Sequence, residues 1–377
     1  MAKELGVGII GCGNISLTYL ALAPLFKGFK VLACADLDPN AAKMRADEYA
    51  LKAQSVEELL GNDEIDLIVN LTIPDAHFSV SKSALEAGKH VYSEKPLVLS
   101  LQQGEALQKI AGQCGVTVGC APDTFLGGAH QHARAYIDDG HIGRITSGTC
   151  HVMSPGMEMW HPNPGFFFRA GGGPILDLGP YYIANLINLI GPVKRVAALA
   201  SMASPTRLVT SEPLAGQVVP VEVATNVHAI LEFVNGATVT LTASWDVWSH
   251  RHASMELYGT EGSLFVPDPN FFGGVVEASG RDGKIEALPA WNHPFSKVNQ
   301  EHANGQRANY RAAGLADMAM ALIEGRDPRC SLDRSLHGID VLTSILKSGE
   351  EGRFVELTTR CTQPEPLGID EALALLR

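Results

Sequence analysis

In the first third of the chain, apolar residues fall in short runs separated by helix-length segments of mixed polarity. Residues 5–10 form such a run, ending at Gly11, and residues 30–35 form the next; the stretch 14–27 between them predicts a strand–helix–strand unit. The pattern repeats with a strand over 66–72, a helix with Asp75 as N-cap and Gly88 just past its end, and a strand over 90–94. Ser100 can cap a further helix that stops at Gly115, ahead of a strand over 116–121. Strands of this kind, apolar on both faces and alternating with helices, predict a parallel, doubly wound sheet of Rossmann type. Ligand loops in such a sheet lie outside the C-terminal ends of the strands, where Gly11, Thr72 and Lys95 fall.

Beyond residue 123 the alternation stops. Strand-like stretches over 144–153, 195–202, 221–234, 237–245 and 254–258 predict a predominantly antiparallel sheet, with Asn235-Gly236 as a two-residue hairpin turn. Segments 310–323 and 332–346 carry apolar residues at helical spacing and predict packing helices. At about 100 to 200 residues per domain, 377 residues predict two: a Rossmann domain over 1–122, and a sheet domain over 123–377 whose late helices return to the first. A large open sheet with few spare helices predicts a homodimer or homotetramer packed through that sheet.

Composition narrows the function. With 46% apolar and 19% charged residues the chain suits a well-buried globular protein, so disorder is not expected. A formal net charge of -12 repels phosphate backbones and anionic lipid, which argues against nucleic-acid and membrane partners. The apolar stretch after the first residues is too short for a signal-peptide core and no run reaches transmembrane length, so a cytoplasmic location is expected. Seven cysteines without a C-x-x-C pair suggest neither a disulfide framework nor a zinc site.

Gly11-Cys12-Gly13-Asn14-Ile15-Ser16 follows a strand and opens a helix, the setting in which backbone N–H groups approach a pyrophosphate; Ser16 stands where a third glycine is usual. Asp36, at the end of the second strand, can accept from ribose hydroxyls, though an Asp there is also a common turn residue. Leu37 follows it in place of an Arg or Lys that would pair with a 2′-phosphate, so NAD is expected over NADP. Glu94-Lys95-Pro96 lies just past a parallel strand, where a nicotinamide ring would end, and Lys95 is the best-placed proton carrier. To serve near neutral pH a lysine must fall roughly two to three units from about 10.4.

The run from Gly171 to Tyr181 reads as a glycine turn feeding a helix with Pro174 in its first turn, which sets Asp177 and Tyr181 four apart on one face. Ordinary roles, a first-turn acid and a half-buried core tyrosine, account for the same residues equally well. The long irregular segment holding His161 and Arg169 is a candidate pocket wall, as is Asp246 between Trp245 and Trp248 at a strand end. Asp123, just past the strand over 116–121, shares the sheet edge of Lys95 and could touch substrate.

The glycine loop with Asp36, then Glu94-Lys95-Pro96, then Gly171-Gly172-Gly173 with Asp177-x-Gly179-x-Tyr181, in that order, resemble the Gfo/Idh/MocA family of glucose–fructose oxidoreductase and inositol dehydrogenase. Tyr258-Gly259-Thr260-Glu261-Gly262 and the helical region 310–334 extend the resemblance over nearly the whole chain. The resemblance implies that Lys95 is the catalytic lysine, that Asp177 orients the substrate, and that Thr72, Pro74 and His77 flank the dinucleotide. Position 181 is the family's usual acid/base, most often His; Tyr181 departs from that, which leaves Lys95 as base and Tyr181 as its hydrogen-bond partner. The function implied is NAD-dependent oxidation of a secondary alcohol on a sugar or polyol, the alternative being an NAD-dependent glycoside hydrolase that works through a transient 3-keto sugar.

Overall fold

A computed structural model describes residues 4–302 and 305–377. The chain divides into two compact units, one formed by 1–127, 292–339 and 364–377, the other by 128–291 and 340–363.

The first unit begins with six parallel strands: β1 (Leu5–Ile10), β2 (Phe29–Ala35), β3 (Lys52–Ala53), β4 (Leu67–Asn70), β5 (His90–Ser93) and β6 (Val118–Cys120), in the order β3-β2-β1-β4-β5-β6. Helices α1 (Asn14–Leu22), α2 (Pro39–Tyr49), α3 (Val56–Leu60), α4 (Pro74–Glu86) and α5 (Leu101–Cys114) connect them. Strand order reverses at β1, so the β1 and β4 ends flank a crevice of the kind that takes a ligand. Local chemistry sets the helix ends: the Ser100 hydroxyl accepts from the Gln103 N–H, and Gly115 closes α5 in the left-handed region at φ 68°. Asp75 is not the N-cap of α4; Ile73 is, and Pro74 takes the first helical position, where its missing N–H costs nothing.

The second unit carries α6 (Gly128–Asp138), β7 (Ile145–Met153), the short helix α7 (Gly173–Asp177), α8 (Gly179–Ile190), β8 (Val193–Ser201) and a small hairpin of β9 (Thr206–Leu208) and β10 (Val218–Pro220). Strands β11 (Asn226–Phe233), β12 (Thr238–Ser244), β13 (Met255–Gly259), β14 (Ser263–Val266), β15 (Glu277–Ser279) and β16 (Ile285–Ala287) follow. The late part of the chain returns to the first unit with the β17 (Gln300–His302) and β18 (Gly305–Arg307) ladder, α9 (Ala313–Glu324) and α11 (Ile369–Leu375), while α10 (Leu332–Glu351) begins in the first unit and ends in the second, ahead of β19 (Val355–Glu356) in the second. The large sheet runs β16-β15-β14-β13-β7-β12-β11-β8-β19 and is antiparallel except where β12 lies parallel to β7. Its strands alternate in burial, and one face packs on α8 through Ile183, Leu186 and Ile187.

The Asn235-Gly236 turn joins β11 to β12, but it is a three-residue loop: Gly236 N donates to Phe233 O and only Gly236 has positive φ. A type I turn followed by a left-handed glycine gives that geometry, so Asn235 needs no positive φ.

Candidate active site

In the first unit, Gly11 ends β1 at φ 103°, and a Cβ there would lie 2.6 Å from the backbone of Leu71 in the neighbouring strand end, so no larger residue fits. Gly13 is the N-cap of α1, and a Cβ on it would meet no protein atom within 4 Å. The loop therefore leaves room directly in front of the first N–H groups of α1, the approach a dinucleotide pyrophosphate needs, and Asn14 and Ile15 open that helix. Ser16 suits the third glycine's place because its hydroxyl donates to Gly13 O at 2.6 Å and accepts from Arg45 Nε at 3.2 Å.

Asp36 closes the loop. Its Oδ2 accepts from Cys12 N at 2.7 Å and its Oδ1 from Asp38 N at 2.9 Å, which fixes the carboxylate across the glycine turn while Leu37 stands 96% exposed beside it. Past β4, Thr72 donates through Oγ1 to Asn70 Oδ1 at 2.7 Å, and Asn70 in turn donates to His77 O and Ser81 Oγ on α4. The buried His77 ring sets Nδ1 against Pro96 O at 2.6 Å and Nε2 against Thr72 O at 3.0 Å, so it braces the Thr72 and Pro96 loops. Burial holds this imidazole below its ordinary pKa, against the pull of the two carbonyls.

Lys95 follows β5. Glu94 fixes its turn: Oε1 accepts from Tyr19 Oη on α1 at 2.9 Å, and Oε2 accepts from the Lys95 N–H at 3.0 Å. Sequence reading had no signal for Tyr19, whose partner lies 75 positions away. Asp123, past β6, is 3% exposed, with Oδ2 accepting from Ala312 N at 3.1 Å and Gly314 N at 3.0 Å.

In the second unit, Asp177 and Tyr181 do not share one continuous helix. Leu178 separates α7 from α8, because Pro180 lacks the N–H that would bond to Leu176 O. Asp177 is half-buried at the end of α7, and Tyr181 is buried in the first turn of α8. The segment leading to them is aromatic: the His161 ring lies 5.4 Å from Trp160, 5.6 Å from Phe166 and 5.0 Å from Phe167. Arg169 is exposed at its end, where its carbonyl accepts from Gly172 N at 2.8 Å.

Arg207, on β9, holds this wall from behind. Its guanidinium pairs with Glu158 Oε1 at 3.0 Å and with Asp246 Oδ1, and lies 5.6 Å from the Phe168 ring centroid. Asp246 Oδ2 accepts from Thr225 Oγ1 at 2.7 Å, so both carboxylate oxygens have protein partners. Asp246 was singled out by its place between Trp245 and Trp248, but Arg207, whose pairings with Glu158 and Asp246 span 49 and 39 residues, gave no local signal. Trp245 is fully buried, whereas Trp248 is 80% exposed. Among the described residues no cluster of His, Cys, Asp and Glu could hold a metal ion, and no helix is long and apolar enough to cross a membrane.

The chain is 25% identical to D-xylose dehydrogenase from Paenarthrobacter nicotinovorans over 84% of its length and 85% of that protein's. It is 27% identical to levoglucosan dehydrogenase from Pseudarthrobacter phenanthrenivorans over 70% of its length and 73% of that protein's. The solved structure of an NAD binding oxidoreductase from Klebsiella pneumoniae superposes with a TM-score of 0.81 at 21% identity, covering 95% of this chain and all of that one, and shares its fold. Residues 5–121 match the model of the oxidoreductase family with NAD-binding Rossmann fold, and residues 130–265 match the GFO/IDH/MocA C-terminal domain. The glycine loop, the Glu94-Lys95-Pro96 turn and both domain matches agree, and the chain belongs to the Gfo/Idh/MocA family of NAD-binding oxidoreductases.

Proposed function

We propose that the protein oxidises a secondary alcohol of a sugar, sugar derivative or polyol, with Lys95 taking the hydroxyl proton. The observation that carries this reading is the pair of hydrogen bonds on Glu94: one ties it to the helix of the dinucleotide loop, the other to the backbone of Lys95. The lysine is thereby held at the strand ends that define the cofactor crevice, where a proton carrier for alcohol oxidation belongs. A nicotinamide dinucleotide, when bound, supplies the hydride acceptor. Gly11, Gly13, Asn14 and Ile15 would take its pyrophosphate and Asp36 its ribose hydroxyls; Leu37 in place of a cation favours NAD over NADP.

Asp177 orients the substrate and Tyr181 hydrogen-bonds the reacting hydroxyl. The exposed faces of Trp160 and Trp248 and the cation of Arg169 suit the apolar face and the hydroxyls of a pyranose. The relatives named for xylose and levoglucosan support the same substrate class. Asp246, with both oxygens engaged, serves by shaping the wall that carries His161. A homodimer or homotetramer packed through the outer face of the large sheet, where Leu199, Ile230 and Phe354 are exposed, belongs to the same proposal, and a monomeric mass in sedimentation at micromolar concentration would remove it.

The purified enzyme, given NAD and a panel of free sugars, inositols and aryl glycosides, should accumulate NADH with a free sugar or polyol. Aglycone release with no net NADH would instead make it a redox glycoside hydrolase. Lys95→Ala should lower turnover by about 10²- to 10⁴-fold with NADH binding intact; retained turnover would overturn the role of Lys95.

A further inference from the structure

Behind the lysine turn the first unit buries a group of polar side chains that the reaction itself does not call for. Asp123 lies there with one oxygen facing two backbone N–H groups, those of Ala312 and Gly314. Between them the chain makes a corner that its sequence disfavours: Ala312 sits at φ 85°, in the left-handed region, without being glycine. The corner fits closely against the strand ends. A Cβ on Gly314 would strike Tyr92 Oη, and would lie 2.7 Å from Asp123 Cβ and 2.9 Å from Cys330 Sγ. Tyr92 is the residue of β5 two places before Glu94, and its buried hydroxyl has no hydrogen-bond partner among the described residues.

The geometry points to Asp123 as a positioning residue of the proposed reaction: its carboxylate holds the Ala312–Gly314 corner against the strand ends that carry Tyr92 and the Glu94–Lys95 turn. A left-handed alanine is strained, and two charge-assisted bonds to one oxygen offset that strain. The ionised carboxylate is the stronger acceptor, so protonation loosens the corner.

Electrostatics place that protonation in an accessible range. Burial pushes the Asp123 carboxyl up to about 6, the Gly314 N–H and the Arg311 guanidinium pull it down, and Glu94 pushes it up. The groups facing it are Tyr19 from α1, Tyr92 and Glu94 from the end of β5, Cys330 ahead of α10, and Arg311 on the corner itself. Because its ionisation opposes burial, Asp123 makes the folded protein less stable above pH 6 than a neutral residue would, and structural economy alone does not account for an acid at this position.

The assignment rests on Lys95 as proton carrier, which Lys95→Ala tests separately through loss of turnover. Asp123 is tested by the pH profile of kcat/KM between pH 5 and 9 in the wild type, Asp123→Asn and Arg311→Gln, with NADH binding followed by fluorescence. Besides the limb set by deprotonation of Lys95, the wild type should show a second acid limb near pH 6. Asp123→Asn should lose that limb, with kcat down about tenfold and NADH affinity unchanged. Arg311→Gln should move the limb to higher pH, since Asp123 then faces Glu94 without the guanidinium. An ionisation near pH 6 that persists in Asp123→Asn while NADH still binds, or one that stays in place in Arg311→Gln, overturns the proposal.

Discussion

The two units each bury acidic side chains beside their candidate site residues, and they hold them by different means. In the second unit Glu158 and Asp246 converge on one cation, Arg207, which also accounts for the seating of the aromatic segment through Phe168. In the first unit Asp123 is held by backbone N–H groups, with Arg311 acting on it electrostatically. A cation-paired cluster is a structural tie: removing the cation leaves two buried carboxylates uncompensated. A carboxylate held by backbone dipoles keeps its proton equilibrium open, and burial can move that equilibrium toward neutral pH. The contrast separates a wall that is built once from a corner whose strength varies with pH.

Arg207→Met should break the first arrangement most visibly. With Arg207 and both its partners nearly buried, the loss should be on the order of 3 to 5 kcal/mol in urea unfolding. A midpoint within error of the wild type would mean that the cluster is not the tie described.

Asp123→Asn should behave in the opposite sense. Its carboxyl is raised in the folded protein, so the stability it contributes is present below its ordinary 3.8 and is lost as pH rises through about 6. The step from 3.8 to about 6 corresponds to about 3 kcal/mol, so Asp123→Asn should gain up to that much on the wild type between pH 4 and pH 7.5. Melting curves across that range whose difference does not change with pH would show that Asp123 does not titrate as described.

Gly314→Ala sharpens the same comparison with a smaller change. The added methyl must displace Tyr92 or Cys330 from contact, an overpacking cost of about 1 to 3 kcal/mol, and it should lower kcat as well as the melting temperature. A loss of stability with kcat unchanged would detach the corner from the lysine turn.

Much of this architecture was legible in the chain because the signals are local. The β1 and β2 runs, the Ser100 cap, the Gly115 stop of α5, the glycine loop and the Glu94-Lys95-Pro96 turn each depend on residues close together in the chain, and Asp36 was read from its place at the end of the second strand. The wide sheet was read as antiparallel from its strand-like stretches and the Asn235-Gly236 turn, but the parallel β7–β12 pair was not visible, since it joins strands some ninety positions apart. The break between Asp177 and Tyr181 was within reach of the sequence, through Pro180, yet helical spacing alone read across it.

What only the tertiary structure decided is the set of partners. Asp123 looked like a residue open to substrate because it ends a strand, and its two hydrogen-bond donors come from 189 and 191 positions away. Tyr19 carried no signal, since Glu94 lies 75 positions away, and Arg207 carried no motif at all. Periodicity and turn chemistry act over a few residues and so leave a trace in the sequence; burial and long-range pairing depend on which segments pack together, and a single chain read in order holds no record of that.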